Sequence, residues 1–163
     1  MGERSKARFA NGIVSAVLVV FFIAHGLLGS AAIVFGYSSP LAFLVWAGMA
    51  LVVVHVVASI VTSREQLTDA KRPPSSRKKR HLALKWATGA GLAACVALHV
   101  FLRGAFPPKI AIVAVAVMLA VHLCVGSKSL LADLNIPRRY QMAFRVAVCA
   151  FAAVFVVAAI ASF

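Results

Sequence analysis

Residues 12–34 read GIVSAVLVVFFIAHGLLGSAAIV, a stretch with no Lys, Arg, Asp or Glu and a single histidine. A helix rising 1.5 Å per residue needs about 20 such residues to cross roughly 30 Å of hydrocarbon. Four further stretches are also long and apolar enough: 41–62, 84–102, 110–131 and 142–161, the stretch from 110 being apolar to about residue 125 and extended into the interface by 126–131. Between them stand Gly36-Tyr37-Ser38-Ser39-Pro40, Phe106-Pro107-Pro108 and Asn135-Ile136-Pro137, combinations that end helices and start turns. The alternation of period two that a membrane barrel requires is missing. The expected fold is an all-α membrane protein, one membrane domain over residues 1–163 with five transmembrane helices. The first apolar run is longer than the core of a secretory signal and contains His25, so it is expected to be retained.

Composition agrees. The 163 residues are 63% hydrophobic and 13% charged, with mean hydropathy +0.96; a soluble domain is about half apolar and a quarter charged. Seventeen Lys/Arg oppose four Asp/Glu. On a soluble chain that excess, and the run from Lys71 to Arg80 around Pro73-Pro74-Ser75-Ser76, would suggest nucleic acid. Here the bases sort by side instead. Arg4, Lys6 and Arg8 precede the first span; Arg64, Lys71, Arg72, Arg77, Lys78, Lys79, Arg80 and Lys85 lie in or beside a basic loop over 63–83. Lys128, Arg138, Arg139 and Arg145 lie between the fourth and fifth spans, and only Arg103 and Lys109 fall on the other side. By the positive-inside rule the N-terminus is cytoplasmic and the C-terminus outside, in a multi-pass protein of the cell inner (cytoplasmic) membrane. The basic surface then serves topology, anionic lipid headgroups and the docking of an acidic soluble subunit; no nucleic-acid partner is expected. Cys95, Cys124 and Cys149 fall within spans and are read as packing residues, with no Cys-x-x-Cys-His motif and no disulfide framework.

Four histidines, His25, His55, His99 and His122, fall one in each of the first four spans, while His81 lies in the basic loop. Ionisable groups in hydrocarbon normally face the bundle interior and have a partner. His25 and His99 lie roughly 20 and 22 Å in from the cytoplasmic end of their helices, and His55 and His122 roughly 21 and 18 Å from the outer end. The four form two levels, His25 with His99 nearer the outside and His55 with His122 nearer the cytoplasm. In an up-down bundle helices one and three, and two and four, can face each other across the core. Two imidazoles so placed are the axial ligand set of a b-type haem. Gly29, Ser59 and Gly126 follow His25, His55 and His122 by four residues, on the same helix face, where a porphyrin needs a missing side chain. Arg103 breaks the pattern after His99, and Gly91, two turns earlier, can take its place. Close helix packing is the alternative use of these small residues.

Other metals fit less well. Zinc or copper sites favour Cys, Asp or Glu beside the histidines. Ion-coupled carriers favour intramembrane carboxylates, and Glu3, Glu65, Asp69 and Asp133 all lie outside the expected hydrocarbon region.

This layout resembles the dihaem cytochrome b subunit of succinate:quinone oxidoreductases, in particular the five-helix anchor of menaquinol:fumarate reductases. The resemblance rests on Ala10-Asn11-Gly12 through Ala24-His25, Val53-Val54-His55, Lys85-Trp86-Ala87-Thr88-Gly89 through Leu98-His99, and Met118-Leu119-Ala120-Val121-His122 followed by Gly126 and the 130–135 helix exit. It covers most of the chain, with shortened loops. The resemblance implies that His25 and His99 hold a distal haem iron and His55 and His122 a proximal one. It also implies an anchor and electron conduit between a quinone, menaquinone or another, and two cytoplasmic partners, an iron–sulfur subunit and a flavoprotein subunit. FAD and iron–sulfur clusters would belong to those partners, and a dimer of complexes is left open. Menaquinol-oxidising members place one Glu near the outer face and another two residues before the fourth histidine; here the outer loops carry no acid and Ala120 holds the second position.

Lys85, Lys128, Arg138 and Arg139 are the candidates to pair haem propionates, and Ser63, Trp86, Ser127 and Tyr140 to hydrogen-bond a quinone. Each has a plainer reading as an interfacial anchor or helix cap. No residue set suggests dicarboxylate catalysis in this chain. Two alternatives stand beside this expectation: the dihaem anchor of a different respiratory reductase or dehydrogenase, and a non-haem transporter or assembly protein whose histidines bond across helices.

Overall fold

In a computed structural model the described residues are 6–35, 42–68, 73–102 and 108–161. They form five helices: α1 (Lys6–Phe35), α2 (Ala42–Thr68), α3 (Ser76–Phe101), α4 (Pro108–Asp133) and α5 (Arg138–Ala161). All five are long and apolar enough to cross a membrane. The chain is an all-α membrane protein. Arg103 and the turns expected around Gly36–Pro40 and at Phe106-Pro107 lie outside the described residues.

The helices outrun their apolar segments, and this corrects the expected basic loop over 63–83. α2 continues through 63–68 and α3 already begins at Ser76, so most of that loop is helical. Lys, Arg, Gln and Leu are good helix formers, and a helix need not stop where the hydrocarbon does. The start of α3 is set chemically: prolines 73 and 74 cannot supply interior helix donors, and the Ser75 side chain accepts from the Lys78 N–H at 3.3 Å. α1 and α5 likewise start earlier than expected, at Lys6 and Arg138.

The exit of α4 follows the left-handed cap of a Schellman motif. Asn135 has φ 58°, and the Ile136 N–H donates to Leu131 O at 3.0 Å. Asn tolerates this conformation better than any β-branched residue, and Pro137 next prevents the helix resuming. Gln141 then donates to Ile136 O at 2.8 Å at the start of α5.

The chain divides into two compact units, Met1–Pro73 with Asp133–Asn135, and Pro74–Ala132 with Ile136–Phe163. In the first, α1 and α2 run antiparallel: Asn11 meets Thr62, Ser15 meets His55, and Gly48 lies under the Phe21 ring, which a Cβ at 48 would strike. At the end of this hairpin Arg8 Nη2 donates to Asp133 Oδ1 at 2.6 Å, and Leu134 packs on Gly12.

In the second unit α3 and α4 are also antiparallel, joined at Thr88–His122 and at Gly91–Met118, and α4 meets α5 where Cys124 and Cys149 touch.

What is buried has the pattern expected of a lipid-embedded protein. The buried side chains include Asn11, Thr62, Ser63, Thr88, Ser127 and Asp133, beside small residues such as Ala111, Ala116 and Ala152. Val20, Trp46, Met142 and Val154 are each about two-thirds exposed. In water that surface would be an aggregation hazard; in a bilayer, lipid tails cover it while small and hydrogen-bonding residues bring helices together.

Candidate functional site

In the α1–α2 unit the His55 Nδ1 lies 3.1 Å from Ser15 Oγ. The same hydroxyl donates to the Asn11 carbonyl, one turn back on α1, at 2.7 Å. A hydroxyl has one proton and two lone pairs. If that proton goes to the backbone, Ser15 accepts from Nδ1–H of His55, and a neutral ring then has its basic lone pair on Nε2.

The α3–α4 unit repeats the device. Thr88 Oγ1 donates to Leu84 O at 3.0 Å, with Lys85 O at 3.1 Å, and faces His122 Nδ1 at 3.1 Å. If Thr88 gives its proton to the backbone, His122 likewise donates from Nδ1. Gly89 completes the seat, because a Cβ there would lie 3.2 Å from His122 Cε1. The absent side chain lets the imidazole lie close on the α3 backbone.

His25 and His99 belong to the same two hairpins, His25 on α1 and His99 in the last turn of α3, both half-buried. The His25 ring is parallel to that of Phe21 one turn earlier, with centroids 6.2 Å apart. Each expected iron pair therefore takes one histidine from each unit. Among the described residues no three His, Cys, Asp or Glu side chains gather in a metal-ion cluster; a bis-histidine haem iron asks the protein for two ligands.

The remaining candidates separate by surroundings. A Cβ at Gly29 or at Gly126 would meet no described atom within 4 Å, so both leave open space four residues after a histidine. At Gly91 a Cβ would lie 2.5 Å from Met118 Cε, and there the missing side chain accommodates α4. Ser59 donates to Asn11 Oδ1 at 3.4 Å, and Asn11 Nδ2 donates to Thr62 Oγ1 at 3.5 Å, tying α1 to α2 just beyond the Ser15–His55 contact. Ser63 and Ser127 are buried, and Ser127 gives its proton to Cys124 O at 3.1 Å. Trp86 is partly exposed, and Tyr140 is exposed with the Arg139 guanidinium 4.7 Å over its ring. Lys85 is half-buried, while Lys128, Arg138 and Arg139 are exposed.

Ser15, Thr88 and Gly89 were not singled out by sequence reasoning, although Thr88 and Gly89 lie in a stretch that supports the family resemblance. A partial signal exists: Ser15 and Thr88 precede the histidine of their own helix by ten and eleven residues, about three turns. The partner each one touches is on the next helix, which spacing alone does not reveal. Cys124 and Cys149, read as separate packing residues, have their Sγ atoms 3.0 Å apart.

No protein-family model, curated protein or solved structure matches this chain.

What the site can do follows from its donors. His55 and His122 each have Nδ1 in contact with a hydroxyl of the neighbouring helix, and a histidine held through Nδ1–H offers Nε2 as a stronger and better-aimed ligand. Imidazole nitrogen suits iron, and open space on the same helix face suits a planar macrocycle. Taken singly, each histidine is a donor of the kind a haem iron takes.

Proposed function

We propose that this chain is the membrane-anchor cytochrome b subunit of a succinate dehydrogenase or fumarate reductase. In this reading it binds two b haems and transfers electrons between a quinone pool and an iron–sulfur/flavoprotein pair on the cytoplasmic face. The observation that supports it most is the repeated seating of His55 and His122: in two separate hairpins, a hydroxyl that also reaches a backbone carbonyl lies 3.1 Å from Nδ1 and leaves Nε2 as the other ring nitrogen. A metal-ligating histidine is held in this way through its other ring nitrogen.

His25 and His99 would hold the distal haem, and His55 and His122 the proximal one. Bound haem supplies one-electron redox chemistry that no side chain here can. The chain's own residues set the conditions for it. Ser15 and Thr88 orient the rings and, as neutral acceptors, keep them from imidazolate character. Gly29 and Gly126 leave open space four residues after His25 and His122. No carboxylate stands within the apolar part of any span, so proton exchange with quinone falls to the interface, where Trp86 and Tyr140 are exposed enough to hydrogen-bond a quinone.

Purification from native membranes through a tag on this chain tests the functional reading. The proposal expects a flavoprotein and an iron–sulfur protein to co-purify, with succinate–quinone or quinol–fumarate activity. A stable haem-bearing complex with other companions would contradict the assignment of partner.

A further inference from the structure

The second unit, Pro74–Ala132 with Ile136–Phe163, contains eleven Lys/Arg and no Asp or Glu. Three of those cations share one level inside the unit. Contact between Cys124 and Cys149 sets the register of antiparallel α4 and α5. One turn further along α4 is Lys128, and one turn back along α5 is Arg145, so the two lie at one level. Thr88–His122 sets the register of α3 against α4, which brings the His81–Lys85 turn of α3 to the same height. The charges of Lys85, Lys128 and Arg145 all reach the His81 imidazole, so the cluster is a single electrostatic neighbourhood.

Arg145 supplies the second observation. It is half-buried, and its Nε is buried with no hydrogen-bond partner among the described residues. An orphaned guanidinium nitrogen is costly unless an acceptor reaches it. No carboxylate of the unit can be that acceptor, since the unit has none. The level is also informative: α3 is strongly basic before Lys85 and apolar beyond Trp86, which is where lipid phosphates lie in a bilayer. Basic pockets between membrane helices at that depth match phosphate headgroups.

We propose that Lys85, Lys128 and Arg145, with His81 at their edge, bind the phosphate of an anionic phospholipid. Arg145 provides the directional contact, a planar donor set matched to a phosphodiester, and the two lysines provide point charges around it. His81 adds a hydrogen-bonding ring. The lipid becomes a part of the folded unit, joining α3, α4 and α5 at one end.

The test uses the full chain in phosphatidylcholine nanodiscs, with Trp46→Phe so that Trp86, beside Lys85, is the only tryptophan. Phosphatidylglycerol brominated near the headgroup is titrated in, and brominated phosphatidylcholine serves as control. Trp86 emission should be half-quenched at a severalfold lower mole fraction of the anionic lipid. Arg145→Gln and Lys128→Gln should each shift that midpoint by about fivefold, since a basic residue at the surface contributes about 1 kcal/mol; helical circular dichroism checks folding, and exposed Lys128 keeps the test alive if Arg145→Gln misfolds. Lys79→Gln, outside the cluster, should shift it less. Equal quenching by the two lipids, or an equal shift from Lys79→Gln, would overturn the proposal. So would loss of the preference on adding millimolar inorganic phosphate, which would make this a site for a free anion, or on loading haem, which would assign the cations to propionates. The measurement on haem-free protein stands whatever becomes of the cytochrome reading.

Discussion

Thr88 of α3 stands 3.1 Å from Nδ1 of His122 on α4, and its own proton is already given to the Leu84 carbonyl. With that proton on the carbonyl the threonine accepts and the histidine donates. Thr88→Val keeps the shape and removes the acceptor. The expected result is a loss of about 1 kcal/mol of stability and a 10- to 100-fold weaker haem affinity at the His122 site. Thr88→Ser should restore most of both. Haem titration of the purified variants measures it, and Val and Ser behaving alike would show that the hydroxyl has no role in ligation.

Gly126 and Gly89 make opposite predictions. The open space at Gly126 should admit Gly126→Leu without harm to the haem-free fold, with a gain of roughly 0.8 kcal/mol in helix propensity. If that space is for a porphyrin, the same variant should retain one haem of two. Gly89→Ala places a methyl 3.2 Å from the His122 ring and should disturb ligation with little change in helix content. Haem stoichiometry against thermal unfolding separates the two; full haem retention in Gly126→Leu would refute the clearance role.

Arg8 and Asp133 form an ion pair in which the carboxylate side is nearly buried, with side-chain exposures of 27% and 5%. Asp133→Asn should reduce stability by about 1.5–3 kcal/mol, the range for a hydrogen bond to a charged group. Detergent-resistance or thermal unfolding assays should show this for Arg8→Gln as well, and the double variant should lose less than the sum. Additive losses would mean that the two side chains act separately.

Cys124 and Cys149 are close enough to be joined by mild oxidation, each thiol giving up one hydrogen to a disulfide oxidant such as diamide. Trypsin should then release a disulfide-linked pair of peptides, residues 110–128 with 146–163, instead of the separate fragments. Their absence under conditions that modify both thiols would contradict the α4–α5 register, and with it the placing of Lys128 at the level of Arg145.

Sequence reading went furthest where one physical requirement dominates. Stretches such as 12–34 must be helical because a bilayer leaves no other way to pair the backbone, so all five helices were legible. Their ends were not: hydropathy marks where hydrocarbon stops, whereas α3 begins at Ser76 because Pro73-Pro74 and the Ser75 cap decide it. The histidines were conspicuous as the only ionisable type at depth. Ser15, Thr88 and Gly89 were hidden, since small residues are common in membrane helices and their role depends on which residue of the next helix arrives opposite. The contact of Cys124 with Cys149 was hidden for the same reason, as period 3.6 on one helix says nothing about register on its neighbour.

The central claim is that imidazoles of this chain hold two b haems, and the most direct measurement is the reduced-minus-oxidised spectrum of the purified protein with pyridine haemochrome quantification. The account predicts a b-type α-band with two haems per chain, and one haem remaining in His55→Ala and in His122→Ala. A purified, folded chain with no α-band after expression with ample haem would contradict it.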